Sequence, residues 1–261
     1  MTAQTPTHDT LADLIAAAAG DSWVPPGPPA AGERVRSLEV RWIFPGRLTG
    51  AVAGWFGRFP ARTESREDAY LLDPQSPGVS LKVRGGGPVE VKVYRGSPGT
   101  LEVADHARGR LEAWQKWPLA LRAPSPGSGQ AAGWRLVRKR RRISRFSLAD
   151  GQIAPRAQQR GREPACEVEL TEIRTSGQDW WTLGFEATGP VGLLRSQLQA
   201  TAAHVFAQPL PGSVDPSPDH SRSYPQWLGL ASGRAPAVTP APDNCSSAGP
   251  GGPAAILAYP G

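Results

Sequence analysis

Cysteine is nearly absent from this chain: its 261 residues include two, Cys166 and Cys245. Cys166 lies in an alternating apolar segment and Cys245 in a Pro/Ser/Gly-rich stretch. That placement excludes a disulfide framework and a cysteine-based metal centre, and it fits a reducing, cytoplasmic setting. The four histidines, His8, His106, His204 and His220, are scattered without zinc-ligand spacing. Long apolar runs are missing too. The stretch 10–20 is short and carries Asp13, and no basic segment precedes it. Neither a signal peptide nor a membrane-spanning helix is expected. No Gly-Lys-Ser/Thr follows Gly85-Gly86-Gly87, so this is no phosphate loop. A Gly-x-Ser-x-Gly elbow and a dinucleotide fingerprint are also lacking.

Apolar pattern is itself missing from both ends. Residues 1–32 are rich in Ala, Pro, Gly and Thr, and residues 209–261 in Pro, Ser, Gly and Ala. Such segments bury too little apolar surface to offset their ordering entropy, so both are expected to be disordered. One domain, residues 33–208, remains between them. The net charge of +6 suits an anionic partner without identifying one.

What the chain does have is strict alternation. Leu38-Glu39-Val40-Arg41-Trp42 alternates, as do Leu81-Lys82-Val83-Arg84 and Val89-Glu90-Val91-Lys92-Val93. Cys166-Glu167-Val168-Glu169-Leu170 and Trp181-Thr182-Leu183-Gly184-Phe185-Glu186 repeat the pattern. Period-two alternation means β-strands with one apolar and one polar face. The polar face is unusually ionic, and a closed sheet would gather those charges in its bore. Further strands are expected at 68–73, 101–103 and 134–146, and 79–84 and 89–95 form a hairpin around the glycines. Residues 50–59 read as a loop or a short helix. Leu111, Trp114 and Trp117, with Pro118 following, have helical spacing over 109–117. Leu193, Leu194, Leu198, Ala202, Val205 and Phe206 mark one face of a closing helix. The fold class is α+β, mostly β, with helices as minor parts.

These pieces together resemble the CYTH-like, or triphosphate tunnel metalloenzyme, superfamily over roughly residues 36–206. The resemblance rests on Leu38–Arg41, the hairpin 81–92, Trp114-Gln115-Lys116-Trp117, the stretch 137–142, the stretch 166–172 and the last strand through Glu186 and Gly189. It implies a closed antiparallel eight-stranded β-barrel and divalent-metal-dependent hydrolysis of a triphosphate or polyphosphate, with Mg²⁺ or Mn²⁺ as cofactor. The family signature on the first strand is Glu-x-Glu-x-Lys. Here that stretch is Ser37-Leu38-Glu39-Val40-Arg41, with one carboxylate replaced by Ser37 and the lysine by Arg41.

The residues suggest roles within that frame. Glu167 and Glu169 are two apart on a strand and point to one face, where they can share a hard cation; the alternative is a carboxylate pair facing water. Glu39 completes the expected metal set, and Glu39, Glu90 and Glu186 are the expected catalytic carboxylates, placing water or a second ion. Arg41, Lys82, Arg84, Lys92, Lys139 and Arg141 are the expected polyphosphate clamp, Arg as a planar fork and Lys as a point charge. In the run Arg138 to Arg142 one parity is expected to line the bore and the other to face outward. Two non-catalytic alternatives stand beside hydrolysis: a polyphosphate-binding tunnel, and an RNA-binding surface on strand 138–142.

Overall fold

The computed structural model describes residues 35–72, 78–85, 88–122, 134–149, 152–155 and 164–231. The expected disorder of residues 1–32 and of the last thirty residues concerns parts of the chain outside these. The strands are β1 (Val35–Pro45), β2 (Arg62–Leu71), β3 (Val79–Arg84), β4 (Pro88–Gly96), β5 (Thr100–Val103), β6 (Ala107–Arg110), β7 (Glu112–Arg122), β8 (Trp134–Ala149), β9 (Gln152–Pro155), β10 (Ala165–Thr175) and β11 (Gln178–Thr188). The helices are α1 (Gly50–Phe56), α2 (Val191–Val205) and α3 (Tyr224–Ala231). Around the sheet the order is β10, β11, β1, β7, β4, β3, β2, β8, and β8 pairs back with β10. Every pairing is antiparallel, so eight strands form the closed barrel that the sequence resemblance implied.

Alternation decides which side of the wall each residue takes. On β1 the even residues Leu38, Val40, Trp42 and Phe44 face outward. They join Val168, Leu170, Leu183 and Phe185 in one apolar cluster outside the barrel. Helices α1 and α2 cover it with Val52, Phe56, Leu194, Leu198, Ala202 and Val205. Thr49 caps α1, its hydroxyl oxygen accepting from the Val52 amide at 3.3 Å. The β5–β6 hairpin lies so close to β1 that a Cβ on Gly109 would come within 2.7 Å of Trp42 and Val40. A glycine is required there for close approach.

Three expectations need correction. The helix expected over 109–117 is instead the end of β6 and the start of β7, which pairs with β1 on one side and β4 on the other. Ladder pairing on both edges overrides a three-residue spacing of aromatics. Strand β2 begins at Arg62, six residues before the alternation became readable. Residues 209–231, read as the start of a disordered tail, are ordered. Ser221 bridges to Trp42, and α3 buries Trp227 to 3 % and Leu228 to 1 % exposure. The proline-rich lead-in hid a short helix that has a barrel end to pack against. Among the described residues no helix is long and apolar enough to cross a membrane.

Candidate functional site: an ionic bore closed at one end

The inward parity gathers the charges. Strand β8 shows this most plainly: the Lys139 side chain is 3 % exposed, whereas Arg138 and Arg140 on either side are 76 % and 60 % exposed. Register then aligns the carboxylates. Glu112, Glu39, Glu186 and Glu167 are direct cross-strand neighbours on β7, β1, β11 and β10, forming one row around part of the bore. Like charges directly opposite destabilise a sheet unless something compensates them.

The chain supplies that compensation. Lys92 and Lys116 are themselves direct partners on β4 and β7. Lys92 Nζ lies 2.8 Å from Glu39 Oε1 and 4.0 Å from Glu186 Oε2, and Lys116 contacts Glu186 Oε1. Ser37 Oγ donates to the same Glu39 oxygen at 2.7 Å. Burial alone would raise the Glu39 carboxyl, but Lys92 and Lys116 hold it down at about 2. At the ends of the row, Arg110 pairs with Glu112 at 2.7 Å, while Arg145 and Arg62 lie 3.6 and 4.0 Å from Glu167.

A second group sits deeper in the bore. Arg141 contacts both Glu64 and Glu169 through the two arms of its guanidinium. Arg41 reaches Glu169 at 3.3 Å and donates to Thr182 Oγ1 at 3.0 Å. The Arg41 guanidinium lies flat on β11 because residue 184 is glycine; a Cβ there would come within 2.8 Å of it. Glu169 also accepts from Thr171 Oγ1 at 2.6 Å. Burial would raise its carboxyl, yet Arg141 and Arg41 hold it well below the usual carboxylate range. On the other wall Glu90 forms an ion pair with Lys82 at 2.7 Å, and Arg84 lies on its second oxygen at 2.5 Å. Lys139 donates to Asp68 Oδ2 at 2.9 Å and to the Tyr70 hydroxyl at 2.6 Å.

The fit to a divalent ion follows from these partners. Among the described residues no three acidic, histidine or cysteine side chains converge on a point. Glu39 and Glu186 lean onto ammonium groups, and Glu169 is committed to two guanidiniums and a hydroxyl. A unit positive charge placed about 4 Å from one of those cations meets a repulsion of about 4 kcal/mol at an effective dielectric of about 20. The carboxylates as arranged do not suit Mg²⁺ or Mn²⁺.

Helix α3 closes one end of the barrel. Trp227 and Leu228 pack against Ile43, Tyr70, Val137 and Ile173, all of inward parity. Tyr224 stacks on Tyr70 with centroids 5.7 Å apart and lies under Lys139 Nζ at 4.1 Å and Arg41 Cζ at 4.8 Å. Gln226 accepts from Arg110 at 2.5 Å. A cavity of about 40 Å³ lies in the bore against Glu39, Arg41, Lys82, Lys92, Tyr224 and Pro225. That is room for about three waters.

Of the residues expected from sequence, Glu39, Arg41, Lys82, Arg84, Glu90, Lys92, Lys139, Arg141, Glu169 and Glu186 come together in the bore. Glu167 lies at its rim with Arg62 and Arg145. Sequence reasoning missed Glu64, Arg66 and Asp68. Their strand is polar on both faces, Thr63, Ser65 and Glu67 alternating with them, so it shows no period. Lys116 and Glu112 were hidden behind the spacing of the tryptophans, although Glu112, Trp114 and Lys116 do alternate. Nothing in the sequence pattern marked Tyr224.

No family model matches the sequence, and no curated protein matches it. Among solved structures the chain is similar to the PH1819 protein of Pyrococcus horikoshii OT3, at 13 % identity and a TM-score of 0.39, covering 75 % of this chain and 99 % of that one. It is similar also to the S. pombe Pct1 RNA triphosphatase, solved in complex with the Spt5 CTD, at 10 % identity and a TM-score of 0.33, covering 67 % of this chain and 80 % of that one.

Proposed function

We propose that the bore binds an anion of the triphosphate or polyphosphate class. The observation that carries this reading is the set of cations facing one another across it. Arg41, Lys82, Arg84, Lys92, Lys116, Lys139 and Arg141 converge from five strands, β1, β3, β4, β7 and β8, a density of positive charge that suits an anionic ligand. Two of their donors, Arg141 Nε and Arg84 Nε, are buried without a hydrogen-bond partner. Buried donors of this kind are costly unless a ligand or water takes them. The resident carboxylates offset the cations while the bore is empty. An entering polyphosphate exchanges with them as partner, and seating it beside Tyr224 requires α3 to move, because the cavity there, about 40 Å³, holds waters and not a triphosphate.

Titration calorimetry with inorganic tripolyphosphate tests the reading. The full chain is expected to bind saturably and one to one. Arg84→Ala should weaken binding by about tenfold or more, since a charge-assisted hydrogen bond contributes roughly 1.5–3 kcal/mol. No heat and no saturation with either tripolyphosphate or long-chain polyphosphate would remove the proposal.

The glutamate row favours a second reading, metal-dependent hydrolysis of the same ligand, because four adjacent carboxylates are the donors that hard cations take. It requires the row to be released from Lys92 and Lys116. Phosphate release from tripolyphosphate in the presence of Mg²⁺ or Mn²⁺ would establish it.

A further inference from the structure

We infer that the bore takes its polyphosphate anion without a divalent ion, Lys92 and Lys116 supplying within the glutamate row the positive charge that a metal would otherwise bring; this rests on the anion-binding reading above. The register of these four charges and the partners of their neighbours carry it. Glu39 and Glu186 are direct cross-strand partners, and so are Lys92 and Lys116. Each pair alone sets like charges side by side, which is unfavourable. Together they form a closed four-charge set in which Lys92 spans both glutamates and Lys116 takes the remaining oxygen. The two charge pairs are built for each other, and their ammonium groups stand where a shared cation would bridge the carboxylates.

The remaining facts concern the neighbours. Ser37, the inward residue before Glu39 on β1, adds a neutral hydroxyl that donates to the Glu39 carboxylate at 2.7 Å. Gly184, also of inward parity, leaves its place to the Arg41 guanidinium. The rest of the row is satisfied by Arg110, Arg62 and Arg145. Every carboxylate of the row thus has a cation from the chain itself. An ammonium has three donors, and Lys92 faces the residual cavity with donors left over for a phosphate oxygen.

Two measurements on the full chain test this. The first is titration with inorganic tripolyphosphate in EDTA and again in Mg²⁺. The dissociation constant in EDTA is expected to be no larger than that in Mg²⁺, which complexes tripolyphosphate and lowers the concentration of the free anion. In EDTA, Lys92→Gln together with Lys116→Gln should weaken binding by about tenfold or more. Lys92→Arg with Lys116→Arg, which keeps the charge, should retain most of the affinity and controls for misfolding. Binding seen only with Mg²⁺ overturns this inference and leaves the anion-binding reading standing. Absence of binding in both buffers overturns the two together. The second measurement needs no anion: Mn²⁺ added to the wild type should keep the electron paramagnetic resonance spectrum of the free aqueous ion. Stoichiometric loss of that signal would overturn the inference whatever the anion does.

Discussion

The two faces of the barrel wall are built from the same strands and hold together by opposite means. Outside, β1, β10 and β11 present Trp42, Val168, Leu170, Leu183 and Phe185 to α1 and α2 in an apolar cluster. Inside, the alternate residues of those strands are Glu39, Arg41, Glu167, Glu169 and Glu186. The outer face is stabilised by area removed from water, at about 25 cal/mol per Å². The inner face gains little net stability, since desolvating paired charges costs about what their attraction returns. Stability therefore resides in the outer layer, and the inner layer is free to be chosen for a ligand. Helix α3 is the exception that joins the two. It brings an apolar surface, Trp227 and Leu228, into the charged side.

That exception gives the largest expected effect. Trp227→Ala and Phe185→Ala each remove a buried aromatic and should each cost about 3–5 kcal/mol. For a domain of this size the melting temperature should drop by about 10 °C or more in either variant, read by circular dichroism. Their effects on tripolyphosphate should differ. Phe185 lies outside the wall, and its loss should leave affinity unchanged. Trp227 anchors the helix that closes the bore, and its loss should strengthen binding, because less work is needed to open the site. Equal affinities in the two variants would break the comparison at its main point. A Trp227→Ala protein as stable as the wild type would mean that α3 rests on the barrel without holding it.

The inner face should respond to pH in a way the outer face does not. Burial pushes the Lys139 ammonium down to about 8 from its usual 10.5, with Asp68 opposing that fall. Around it stand Asp68, Tyr70 and Arg66 from β2, Glu169 from β10 and Tyr224 from α3. Between about pH 8 and 10.5 the unfolded chain holds a proton that the folded chain has released. This group's contribution to stability therefore rises with pH across that window. Anion binding should run the other way, weakening as pH climbs through about 8, since a neutral amine no longer attracts phosphate. Calorimetry at pH 7 and pH 9 measures the difference. Lys139→Met should abolish the part due to this residue, and a pH dependence undiminished in that variant would assign the effect elsewhere.

How far the sequence was legible follows the same division. Where one face was apolar, alternation revealed both the strand and its inward residues, as on β1, β3, β4, β10 and β11. Where both faces were polar, as over Arg62 to Glu67, the strand and its bore residues Glu64 and Arg66 were invisible. Lys116 was lost for another reason: its strand is held by ladder bonds to β1 and β4, and its aromatics happen to fall three apart. The ion pairing was beyond reach. Alternation tells which residues face the lumen, but only register tells that Glu39 meets Glu186 and that Lys92 meets Lys116.

The smallest expected effect sharpens the comparison most, because it is made within one strand. Arg138 and Arg140 face outward on β8, on either side of Lys139, beside an open groove of about 530 Å³ also lined by Arg47, Arg174, Glu67 and Glu172. Arg138 lies 2.8 Å from Glu67 and Arg140 3.8 Å from Glu172, all well exposed. Exposed pairs of this kind contribute about 0–1 kcal/mol and weaken with salt. Arg138→Ala with Arg140→Ala should shift the melting temperature by no more than about 4 °C. If the ligand lies in the bore, tripolyphosphate affinity should stay within about twofold of wild type. A larger loss would move the anion to the outer wall. The RNA alternative is decided by the same variant. A single strand held by that wall would bind with a steep salt dependence, and removing two arginines should reduce the slope of log affinity against log salt by roughly 1.4. Filter binding of a single-stranded RNA at several salt concentrations reads this directly. An RNA affinity that falls with the outer arginines while tripolyphosphate affinity holds would give the two faces of β8 two different anions.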